Sequence, residues 1–71
     1  MKDPKTPEEW QEAVNLAETL LLVDSARQYG LITGGPVIDI NRCEFILRCG
    51  RQRGYRPEKR VVDSYVRGLS S

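Results

Sequence analysis

The sequence predicts a mainly α, compact three-helix domain. Two helix-starting sequences, Thr6-Pro7-Glu8-Glu9 and Asn41-Arg42-Cys43-Glu44, form the first observation. Gly30 and Gly54 stand where the first two helices should stop, and apolar residues recur at three- and four-residue spacing through each stretch. With 71 residues there is room for one domain, 1–71, around a small core. Residues 1–5 and 70–71 are expected to fray.

In the first helix Thr6 can cap, Pro7 sacrifices no needed N–H, and Glu9 can complete a capping box, so a helix from Pro7 to Tyr29 is expected. Trp10, Ala13, Val14, Ala17, Leu20 and Leu21 share one face, flanked by Leu16 and Val23, and that face should be core. Asp24 falls in line with this stripe, while Leu22, Ala26 and Tyr29 make a second stripe on another side. Either the helix changes packing partners near its end, or Asp24 is half-buried against an arginine, since an unpaired buried carboxylate is costly.

Two short β-prone runs then flank Gly34-Gly35, which admits a short β-hairpin over residues 31–40 between the first and second helices. Pro36 restricts it to positions that need no ladder donor. An ordered apolar loop fits the same residues.

The second helix is expected from Arg42 to about Arg53, with Asn41 as cap and Gly54 as stop. Cys43, Ile46, Leu47 and Gly50 share one face, and Phe45 and Cys49 lie on a neighbouring one. So wide an apolar arc suits a helix placed between two others, or one touching another chain. Pro57 should open a third helix ending at Arg67, with Val61, Val62, Tyr65 and Val66 inward and Arg56, Lys59, Arg60, Asp63 and Arg67 outward.

Several classes of chemistry are disfavoured. The chain has no histidine, which removes the commonest general base and metal ligand. Cys43 and Cys49 make no CxxC pair, and on one helix their Cα atoms would be about 9 Å apart, beyond the ~7 Å limit for a disulfide. The glycine-rich stretch Gly30 to Gly35 is followed by proline, not by the lysine and hydroxyl residue of a phosphate loop. No catalytic residue, cofactor or metal is therefore expected. The run Leu20-Leu21-Leu22-Val23 is far shorter than the roughly 20 apolar residues of a membrane span. With no apolar leader after Met1, no membrane association and a cytoplasmic location are expected.

Charge supplies the remaining signal. Residues 1–35 hold three basic and six acidic side chains, and residues 36–71 eight basic and four acidic, so a net charge of +1 conceals halves of −3 and +4. Arg51, Arg53, Arg56, Lys59, Arg60 and Arg67 form a candidate nucleic-acid or anion surface around the Gly54 junction, where a helix-turn-helix would place its reading helix. Glu58 and Asp63 oppose phosphate, and a pI near 7.8 lies below the value above about 9 usual for nucleic-acid modules. Pairing of the arginines with Glu12, Glu18 or Asp24 of the first helix is the plain structural alternative. Phe45, Cys49, Leu22 and Tyr29 are apolar residues left over once each helix has its core stripe, and they form the candidate partner surface. The expected function is that of a small cytosolic, non-enzymatic accessory or regulatory module that binds another protein or itself, with nucleic-acid binding as the alternative.

Overall fold

Helix α1 starts where the capping sequence places it. The computed structural model describes residues 3–35 and 37–70, and in it α1 spans Pro7–Gln28, α2 Ile40–Gln52 and α3 Lys59–Ser70. Thr6 Oγ1 accepts from Glu9 N at 3.1 Å and Glu9 Oε1 accepts from Thr6 N at 3.1 Å, closing the expected capping box. At its other end Gly30 adopts φ 76°, so that Gly30 N reaches Arg27 O and Leu31 N reaches Ala26 O. This left-handed glycine satisfies carbonyls that would otherwise be orphaned. A helix of this length is about 33 Å long, and the longest dimension of the molecule is 34 Å. Helix α1 is therefore its full-length spine.

Both other helices pack on that spine, and among the described residues α2 and α3 make no close backbone approach to each other. The central helix is thus α1, where the wide apolar arc of α2 had suggested α2. The α1·α2 contact is apolar: Ala13, Val14 and Ala17 meet Cys43 and Ile46, with Trp10, Leu20, Leu21, Ile38, Leu47 and Tyr55 around them. Burial of Ile46 alone contributes about 1.5–3 kcal/mol. Gly50 sets the approach distance, because a Cβ there would overlap Val14 Cγ2. Only hydrogen fits.

On the other side of α1 the contact with α3 is largely polar. Asn15 and Thr19 are almost wholly buried, and Thr19 Oγ1 donates to Asn15 O one turn back at 2.8 Å. Asn15 Oδ1 accepts from Glu58 N at 2.8 Å while Asn15 Nδ2 donates to Glu58 Oε1 at 3.1 Å. Gln11 Nε2 donates to Arg56 O at 2.7 Å, and Tyr65 donates its hydroxyl hydrogen to Glu12 at 2.9 Å. Val62, the one fully buried apolar residue of α3, completes this side.

Several sequence expectations are corrected. Among the described residues there is no strand, and so no hairpin over residues 31–40; Pro36 lies outside them. Asp39 is used as the cap of α2, accepting from Arg42 N at 3.0 Å, which leaves too short a run for a second strand. For the same reason α2 begins at Ile40 instead of after Asn41. Helix α3 begins at Lys59, two residues after Pro57, because Asn15 binds the Glu58 amide from outside and Glu58 O accepts the first helical bond from Val62 N. Asp24 is half-buried, but its partner is Gln28 Nε2 at 2.7 Å and not an arginine. Of the ends expected to fray, Met1, Lys2 and Ser71 lie outside the described residues, whereas Asp3 pairs with Arg42 and α3 continues to Ser70.

Candidate interaction cleft

The separation of α2 from α3 opens a cleft of about 800 Å³ above α1. Its floor is Leu22 of α1, Leu47 of α2 and Val62 of α3, with Tyr55 and Pro57 from the connection between the last two helices. Leu22 is 44% exposed, an unusual state for a leucine flanked by two helices. Around this floor stand Arg51, Arg56 and Lys59 together with Glu18 and Asp63.

The junction between α2 and α3 positions the cations. Gly54, at φ 88°, ends α2 as Gly30 ends α1: Gly54 N bonds to Arg51 O and Tyr55 N to Gly50 O at 2.8 Å. Tyr55 is thereby turned onto Trp10, its ring parallel within 6° and its centroid 6.4 Å away. Arg53 also goes to Trp10, its guanidinium 4.6 Å from the ring centroid and Nη1 bonded to Cys49 O. Arg56 is held by its carbonyl, through Gln11, which leaves its side chain at the cleft. Among the described residues, no ion pair links Arg51, Arg53, Arg56, Lys59 or Arg60 to Glu12, Glu18 or Asp24. The acidic spine forms no direct ion pair with these junction cations.

Of the six residues in the candidate cationic surface, the structure brings Arg51, Arg56 and Lys59 together in the cleft, turns Arg53 away to Trp10, and leaves Arg60 and Arg67 exposed outside the lining. The four apolar candidates do not form one patch. Leu22 lies in the cleft; Phe45, half-exposed with Arg42 5.6 Å from its ring centroid, and Cys49 lie elsewhere on α2. Tyr29 is 82% exposed at the end of α1, near Leu31. Leu47, Tyr55, Pro57, Val62, Glu18 and Asp63 complete the cleft, and none of them stood among the candidate site residues of the sequence. The available signal was Asn15 and Thr19, polar residues on the side of α1 that faces away from Val14 and Ala17.

Titration and metal chemistry contribute little here. The Glu12 hydrogen bond, aided by nearby carboxylates, holds the Tyr65 phenol above its usual value. Burial, with Asp39 and Glu44, raises the Cys43 thiol, which makes it a poor nucleophile. Both cysteines are free. Among the described residues no three Cys, Asp or Glu side chains are grouped to hold a metal ion, and no helix is long and apolar enough to cross a membrane. The cleft can accommodate an elongated apolar body that carries anionic groups. Comparison with protein-family models, curated proteins and solved structures gave no match.

Proposed function

We propose that this protein is a small, non-enzymatic accessory or regulatory module of the cytoplasm that acts by binding another protein, and that the cleft between α2 and α3 is its contact surface. The observation that carries this reading is Leu22, left 44% exposed on the cleft floor beside half-buried Leu47 and above buried Val62, in a domain with so little interior. A concave apolar patch rimmed by charge is what a protein partner covers. Arg51, Arg56 and Lys59, none of them in an ion pair among the described residues, favour nucleic acid as the second reading.

Capture of partners from lysate of the source cells by immobilised protein, with and without nuclease, separates these readings. A protein partner should survive nuclease, be lost with Leu22→Glu and be retained with Phe45→Asp, provided both variants keep the helical circular-dichroism spectrum. Retention by Leu22→Glu with loss in Phe45→Asp would move the contact to the outer face of α2. Loss on nuclease treatment, with affinity falling steeply in salt, would establish the second reading. Self-association would appear in sedimentation as a mass above 8.1 kDa.

A further inference from the structure

We infer that the occupant of the cleft is an acidic amphipathic helix of a partner protein, its anionic end seated over Arg51, Arg56 and Lys59; the inference rests on the cleft being a protein-binding surface. Shape is the first ground. Helices α2 and α3 both pack on α1 without approaching each other closely through their backbones, and the space between them is an open cleft of about 800 Å³. Leu22 and Leu47 face it from two helices, with buried Val62 of the third beneath them, as the neighbours of a fourth helix would. Helices α2 and α3 have 13 and 12 residues, so an occupant of about three turns would run their length.

Charge is the second ground, and it gives the occupant a direction. Arg51 lies in the last turn of α2, Arg56 in the connection and Lys59 at the first position of α3, so the three cations gather where α2 gives way to α3. Among the described residues none of the three forms an ion pair or donates a side-chain hydrogen bond within the chain. Glu18 and Asp63 stand one turn further on, along α1 from Asn15 and along α3 from Lys59. An occupant with acidic residues at the junction end, apolar residues at helical spacing, and few acidic residues near Glu18 and Asp63 matches this arrangement. Its helix C-terminus would also favour the cationic end, because the helix dipole is negative there.

Selection from a phage-displayed library of random 16-residue peptides tests this on the intact chain. Enriched peptides should carry net negative charge and apolar residues at i, i+3 or i+4, and i+7. A synthetic copy should bind at least tenfold more weakly to Leu22→Glu and to Arg51→Glu/Arg56→Glu, and lose affinity as salt rises. Enriched peptides that depend on Leu22 but are neutral, basic or without helical period would overturn the acidic helix and leave the cleft reading standing. No enrichment, or binding indifferent to Leu22→Glu, would overturn both, as would binding only of a 20-nucleotide RNA through the same cations. Circular dichroism of each variant distinguishes a lost contact from a lost fold.

Discussion

The two sides of α1 are held by different physics. Towards α2 the contact is dry and close, with Val14 and Ala17 wholly buried against Cys43 and Ile46 and no room for a side chain at Gly50. Towards α3 it includes a set of directed bonds, from Gln11, Asn15 and Glu12 to Arg56, Glu58 and Tyr65, with Val62 the fully buried apolar residue of α3 and Val23 of α1 buried outside the α2 cluster. Apolar packing is insensitive to orientation but costly to cut into, whereas hydrogen bonds fix orientation and contribute modestly each. Helix α2 thus supplies most of the cohesion, and α3 is placed more than it is clamped.

The largest expected effect comes from the dry side. Ile46→Ala should cost about 2–5 kcal/mol, a large share of the stability of so small a domain. Urea unfolding followed by circular dichroism should show all three helices lost together at a much lower midpoint; an unchanged midpoint would refute the placement of the core.

Gly50→Ala comes next. Overpacking costs about 1–3 kcal/mol, and the better helix propensity of alanine offsets about 1 kcal/mol. In a Val14→Ala background the same substitution should turn neutral or stabilising. If its cost persists without the Val14 methyls, close approach is not the role of Gly50.

On the polar side, Asn15→Ala should cost about 1–3 kcal/mol by leaving the Glu58 amide without its acceptor. Its signature is local: amide exchange should accelerate across α3 before α2. Equal acceleration in both helices would erase the distinction drawn between the two sides.

The smallest effect is expected at Tyr65. Its pKa is raised in the folded state, so the folded protein retains this proton at pH values where the unfolded chain has lost it. The contribution is therefore complete below the ordinary tyrosine pKa of about 10 and lost as pH rises through and above it. Wild type should lose stability over that alkaline window by more than Tyr65→Phe does, and parallel pH profiles would show the Glu12 bond to be without effect.

Local signals were the legible part of this fold. The Thr6 box and the stops at Gly30 and Gly54 involve residues a few positions apart, and they fall where the sequence places them. The sequence places the start of α2 two residues late, at a cap on Asn41, because Asp39 has the same capping chemistry. Packing decides it: a cap at Asp39 pairs Ile38 with Cys43 across the first turn, and both belong to the core, whereas a cap at Asn41 would have paired Ile40 with the outward Phe45. The start of α3 was hidden, since its capping acceptor is Asn15, 43 positions away. The cleft was half legible. Arg51, Arg56 and Lys59 stood out as charge, but Leu47 and Val62 read as core, because no local pattern tells that two helices sharing a neighbour avoid one another.

On the proposed reading that avoidance would make the protein a caliper. The gap between its jaws, α2 and α3, is gauged only through the shaft they share and the link at Gly54 to Pro57. One jaw is seated in apolar packing with no slack at Gly50, so an adjustment of the gap would fall to the other, whose fastenings include hydrogen bonds that water could replace. Helices of different girth would then be measured by the same 71 residues at the expense of Asn15, Gln11 and Glu12 contacts, and not of the core.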